Sequence, residues 1–160
     1  MFEIFKKRDI KIYSPCDGVT RRLEDSTDEV FSSKAMGDGI YVVPASNKIF
    51  SPVSGKVVSI FPTKHAIGIV TKNNLELLIH IGIDTANLNG EYFSCHVEKG
   101  QNIDVNDLLV EVDFKAIKDK GYKTDIYLVI TNTSEFDLNS QVFDQKIAVG
   151  DCLLKATIRR

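Results

Sequence analysis

His65 and His80 are the two side chains best placed to do chemistry together. They lie in alternating runs, Thr63 to Thr71 and Leu75 to Gly82, on either side of Asn73-Asn74. Asparagine tolerates the positive φ that a two-residue hairpin turn requires, so the runs read as an antiparallel hairpin with Lys72 opposite Leu75. That register puts Ile67 opposite His80 and His65 diagonal to it, with Cβ atoms on the order of 7 Å apart. One face then carries His65, Ile67, Ile69, Thr71, Glu76, Leu78 and His80. The other carries Ala66, Gly68, Val70, Leu75, Leu77, Ile79 and Ile81; it is the more apolar and forms the core. An odd-numbered loop would instead send the histidines to opposite faces.

An imidazole pair ringed by aliphatic residues has three uses. Each ring can be a half-buried side chain without chemistry. The pair can hold zinc, which needs at least a third ligand, and Glu76 on the same face is the local candidate. Or one imidazole can be a nucleophile that accepts a phosphoryl group while the other donates a hydrogen bond to its oxygens. An apolar rim suits the third use, because a carrier of this kind is met by other proteins.

The elements that must position these residues are strands. From Ile40 onward the chain alternates β-branched or aromatic runs with turn residues: Ile40–Val43, Lys56–Phe61, Ala66–Thr71, Leu75–Ile81, Leu108–Val112, Ile126–Ile130 and Leu153–Ile158. One short helix is expected from Phe114 to Lys120, stopped by Gly121. Ser14-Pro15-x-x-Gly18 is echoed by Ser51-Pro52-x-x-Gly55, and Gln101-x-Ile103-x-Val105-x-Asp107 by Gln145-x-Ile147-x-Val149-x-Asp151. The fold class expected is therefore all-β, an antiparallel sandwich or flattened barrel with internal duplication and at most short helical turns.

The 160 residues suffice for one domain with its own core, expected over 13–160 behind a tail of residues 1–12. Twenty Lys and Arg against 22 Asp and Glu leave no basic excess for nucleic acid. Mean hydropathy is −0.07, no run is long enough to cross a bilayer and the start is no secretory signal, so a cytoplasmic protein is expected. Cys16, Cys95 and Cys152 are odd in number and widely spaced, the pattern of free thiols.

Gly37-Asp38-Gly39-Ile40, Asn47-Lys48, Pro52-Val53-x-Gly55, Thr63-x-His65-Ala66 and Leu77-Leu78-Ile79-His80-Ile81-Gly82-Ile83-Asp84-Thr85 together resemble the glucose-family enzyme IIA domain of the bacterial sugar phosphotransferase system. Leu88-x-Gly90, Phe93, Gly100-Gln101 and Gly150-Asp151 continue the likeness. The resemblance implies a phosphoryl carrier that needs no cofactor and no metal. It takes phosphate from the histidine phosphocarrier protein and passes it to a cysteine on the IIB domain of a separate sugar permease. His80 matches the phosphorylated residue and His65 its supporting donor. Thr63 matches the residue that orients His65, and Gly82 the one whose carbonyl fixes the His80 tautomer.

For docking, the resemblance implies Asp28, Val30, Phe31 and Asp84, the two carboxylates meeting basic groups on partners; Phe61, and Ile67 and Leu78 from the apolar rim of the histidine face, complete the expected docking surface. Leu78 and Ile81 stand where many relatives carry an aromatic residue. Met1 to Arg8 loosely resembles a lipid-touching amphipathic segment, so membrane contact is expected to be weak or absent. The alternative reading is a regulatory binding module whose targets, transporters or metabolic enzymes, sense the phosphorylation state of the same face. A zinc peptidase would need more His or Asp ligands, and a lipoyl- or biotin-type carrier would rest only on Lys34-Ala35-Met36.

Overall fold

The computed structural model describes residues 9–159. In chain order its strands are β1 Asp9–Tyr13, β2 Gly18–Arg22, β3 Asp38–Pro44, β4 Lys48–Phe50, β5 Gly55–Ile60, β6 Ala66–Val70, β7 Glu76–Ile81, β8 Phe93–Cys95, β9 Asn102–Ile103, β10 Leu108–Val112, β11 Ile126–Ile130, β12 Phe136–Asn139, β13 Lys146–Ile147 and β14 Cys152–Ile158. Two short helices, α1 Glu29–Ser32 and α2 Phe114–Asp119, interrupt them. Each of the seven apolar runs read from the sequence is a strand. The expected helix forms too, capped by the Asp113 carboxylate on the Ala116 N–H and followed by Gly121 at φ +91°.

An antiparallel eight-stranded sheet runs in the order β13-β2-β3-β11-β7-β6-β5-β9, and β1-β14-β12 and β4-β10-β8 form two three-stranded sheets. Most buried side chains gather in one cluster that includes Ile12, Val57, Ile67, Ile79 and Leu154. A smaller cluster of Leu23, Phe31, Tyr41, Ala66, Leu78, Tyr127 and Val129 packs separately from it. β11 has partners on both sides and every residue of Ile126–Ile130 is buried, which explains its unbroken apolar sequence.

The duplication extends well beyond the two echoes. Ser14 Oγ donates to the Cys16 carbonyl and Ser51 Oγ to the Val53 carbonyl, both at 2.6 Å. Ala148 N–H donates to the Asp151 carboxylate as Asp104 N–H does to Asp107, both at 2.8 Å. The two Ser-Pro turns also bind each other, Tyr13 N–H to the Pro52 carbonyl and Phe50 N–H to the Pro15 carbonyl. Counting along the pairing registers from Gly18 and Gly55, Gly39 corresponds to Ala66 and its partner Val129 to His80.

Two expectations need correction. Residues 9–12 are not tail: β1 pairs with β14 from Asp9 onward and Ile12 is fully buried, so the domain starts before residue 13. The suggested lipid-touching segment, Met1 to Arg8, lies outside the described residues.

The hairpin register is also shifted by one residue, with Ala66 opposite His80 and Ile67 opposite Ile79. Of the two asparagines only Asn74 takes positive φ, at +64°. Thr71 N–H donates to the Leu75 carbonyl, and Thr71 Oγ1 accepts from the Leu75 N–H, closing a three-residue loop where a two-residue one was expected. The slip moves Ile67 and Ile69 into the main core and brings Ala66, Gly68 and Val70 to the face of Leu78 and His80. The histidines meet nonetheless. β6 begins only at Ala66, and Lys64 at φ +61° breaks the alternation just before His65.

Candidate functional site: a histidine pair on the central sheet

His80 is the penultimate residue of β7, and His65 leads into β6 beside it. Their rings stand edge to face, centroids 4.8 Å apart and planes at 83°. His65 is 5% exposed and His80 half-buried. The Thr63 hydroxyl lies 2.7 Å from His65 Nδ1, which leaves His65 Nε2 free to point elsewhere.

Of the His80 nitrogens, Nδ1 is sealed from solvent and lacks a hydrogen-bond partner of good geometry among the described residues. The Gly82 carbonyl is the nearby group that favours a proton on the ring, though it closes no well-formed hydrogen bond. Burial, then repulsion from His65, pushes the His80 pKa down to about 4; the Gly82 carbonyl, Asp28 and Asp84 pull the other way. Burial also lowers His65. At neutral pH both rings are uncharged, and a neutral imidazole is the form with a lone pair to offer.

Gly82 follows β7 at φ +80°, and a Cβ there would lie 2.4 Å from Thr85 Cγ2 and 2.8 Å from the Lys123 carbonyl oxygen. Only glycine fits that turn. It carries the chain into Asp84, at φ +60° and exposed. On the other flank Asp28 caps α1 by accepting the Val30 N–H at 2.9 Å. The short helix exposes Val30 at 47% and buries Phe31 at 3%. Phe61, 42% exposed, sets its ring edge-on to His65 with centroids 5.5 Å apart.

The expected surface residues thus separate into two groups. Asp28, Val30, Phe61 and Asp84 lie at accessible positions around the rings. Ile67, 1% exposed in the main core, is no part of any surface. Leu78 and Phe31 are buried in the smaller cluster, and Phe31 reaches His80 from the side, centroids 5.1 Å apart. Glu76, the local candidate for a third metal ligand, sits at the opposite end of β7 and accepts from Thr131 Oγ1 at 3.1 Å.

The expected set did not include Tyr127, Tyr41 or Ser26. Tyr127 faces His80 across the β11–β7 ladder, stacks on Phe31 at 3.8 Å and contacts Tyr41 at 5.1 Å, and its hydroxyl meets Ser26 Oγ at 2.7 Å. Its one sequence signal is a tyrosine inside the otherwise aliphatic run Ile126–Ile130.

A doubled antiparallel fold thus holds an uncharged imidazole pair at one face of its eight-stranded sheet, the kind of site that can carry group-transfer chemistry. Residues 10–136 match the family model described as phosphoenolpyruvate-dependent sugar phosphotransferase system, EIIA 1. The chain is 41% identical over 137 residues to the PTS system glucose-specific EIIA component of Halalkalibacterium halodurans, covering 86% of this chain and 77% of that one. It is 42% identical over 147 residues to the beta-glucoside-specific EIIBCA component of the same organism, covering 92% of this chain and 23% of the relative. Its backbone superposes on glucose permease IIA from Mycoplasma capricolum with a TM-score of 0.89 and 38% identity, over 94% of this chain and 97% of the other. The chain belongs to the glucose-family EIIA domains of the sugar phosphotransferase system, and its general role is that of their phosphoryl carriers. It spans less than a quarter of its EIIBCA relative. Among the described residues, no helix is long and apolar enough to cross a membrane.

Proposed function

We propose that His80 Nε2 accepts the phosphoryl group from the phosphohistidine of the histidine phosphocarrier protein and passes it to a cysteine on the IIB domain of a sugar permease. The observation that carries this reading is the edge-to-face ring pair, with His80 Nδ1 sealed and His65 Nδ1 against Thr63. The lone pair on His80 Nε2 attacks phosphorus as the donor's N–P bond breaks, its electron pair staying on the donor nitrogen. The proton on Nδ1 does not move. In the second step a thiolate attacks phosphorus and the bond to His80 breaks in turn.

The remaining residues align and stabilise. The Thr63 hydroxyl donates to His65 Nδ1, which keeps the His65 proton on Nε2 and aims it at the phosphoryl oxygens. A loose transition state gains most from such alignment. Val30 and Phe61 give an incoming protein apolar contact, and Asp28 and Asp84 meet its basic groups rather than the phosphate. Both partners use this one face.

Incubation with the general phosphotransferase proteins and phosphoenolpyruvate is expected to place an acid-labile phosphate on the protein, and His80→Ala to abolish it. Undiminished label in that variant would reject the assignment. Replacing His65 is expected to slow transfer while the melting temperature holds; an equal loss of both would return His65 to a structural role.

A further inference from the structure

Tyr127 touches the site yet contributes nothing to the chemistry described above. It is fully buried in β11 opposite His80, and a phenylalanine would pack there as well; its hydroxyl therefore calls for a reason. That hydroxyl meets Ser26 Oγ at 2.7 Å, and the same serine oxygen accepts the Asp28 N–H at 3.1 Å. Ser26 ends the turn Leu23–Asp25 and leads into α1, so the hydroxyl pair ties to the central sheet the segment that carries Asp28, Val30 and Phe31. Phe31 is the connection back to the reacting ring. It stacks on Tyr127, planes 7° apart at 3.8 Å, and presents itself to His80 at 5.1 Å and 61°. His80 is thus packed against both His65 and a ring held through Tyr127.

We propose that Tyr127 and Ser26 are positioning residues for phosphoryl transfer, their hydroxyl pair pinning the segment so that Phe31 closes the flank of His80 and holds Nε2 beside His65. This rests on the reading of His80 as the phosphoryl acceptor. The segment's other side-chain tie to this end of β11, Lys123 Nζ to Thr27 Oγ1 at 3.1 Å, is exposed and holds less well against water. Without the buried tie Phe31 loosens, water reaches the His80 flank, and the desolvation of that ring is partly relieved. The charged and titratable groups that act on His80 are His65, Asp28 and Asp84, with the Gly82 carbonyl beside them, and none of these is substituted in the variants below; the Tyr127 ring, 6.4 Å from His80, is kept in Tyr127→Phe.

The test uses Tyr127→Phe, Ser26→Ala, their combination and Ser26→Thr. Two quantities are read: the titration midpoint of His80 by NMR in unphosphorylated protein, and the rate of phosphoryl acceptance from the histidine phosphocarrier protein. Each single variant is expected to raise the midpoint by about half a pH unit and to slow transfer by roughly three- to tenfold. The double variant should be no worse than either single, and Ser26→Thr should restore both readings. A midpoint and rate unchanged in Tyr127→Phe, with only a lower melting temperature, overturns the proposal, as do single effects that simply multiply in the double variant. The titration needs no phosphorylation. A failure of His80 to label would therefore leave its midpoint shift intact and count against the acceptor reading instead.

Discussion

As the proposed phosphoryl acceptor, His80 meets two opposed demands in one ring. Attack on phosphorus needs an accessible lone pair, whereas control of the ring needs packing that excludes water. The structure divides these between the nitrogens, sealing Nδ1 and leaving the other edge to the face of the sheet. The division has a cost that pH reveals. The His80 pKa falls from 6.5 to about 4 on folding, so between those values the unfolded chain binds the proton more readily. Stability attached to the neutral ring is whole above pH 6.5 and is lost as pH falls toward 4, by up to about 3 kcal/mol. His65, also lowered, adds in the same direction. Unfolding in denaturant at pH 7.5 and pH 4.5 is expected to show this loss, much reduced in His80→Phe; an equal loss in that variant would place the titrating group elsewhere. The imidazole pair and its threonine were legible because they sit close in sequence. Tyr127 was not, since only the pairing of β11 with β7 brings it to His80.

At the scale of elements, the hairpin shows how one backbone angle redirects a prediction. An Asn-Asn pair read as a two-residue turn sends Ile67 to the histidine face. With positive φ at Asn74 alone, the loop gains a residue and Ile67 goes to the core. Ile67→Ala is therefore expected to destabilise by about 2–4 kcal/mol, as aliphatic truncations in closed cores do. It should leave phosphoryl acceptance by the folded fraction near the parental rate, checked by denaturant unfolding beside a transfer assay. Slower transfer at undiminished stability would restore Ile67 to the docking face. The longer strands were readable from their β-branched runs. The short ones, such as Phe93–Cys95 and Asn102–Ile103, exist because a partner strand pairs with them rather than because their residues favour extension. His65 reached the site despite the slip because Lys64 leaves the strand conformation just before it, a departure the residue type does not announce.

For the whole molecule the duplication carries the next expectation. The Ser14 and Ser51 hydroxyls make the same buried bond at the same length in their two turns. Ser14→Ala and Ser51→Ala should then cost alike, about 1–2 kcal/mol each by equilibrium denaturation. Costs differing by more than about 1 kcal/mol would mean the halves have drifted apart in energy as well as in sequence. The repeated turns were visible as echoes because Ser, Pro and Gly are demanded by their geometry. The rest of the repeat was not, because a strand pair tolerates many apolar residues and so keeps its shape while its letters change.

That drift left Val129 where the repeat would mirror His80. A methyl-tipped side chain owns no electron pair to share, so a body folded twice has a single berth. On the proposed reading of His80, whoever delivers must depart before whoever collects can arrive.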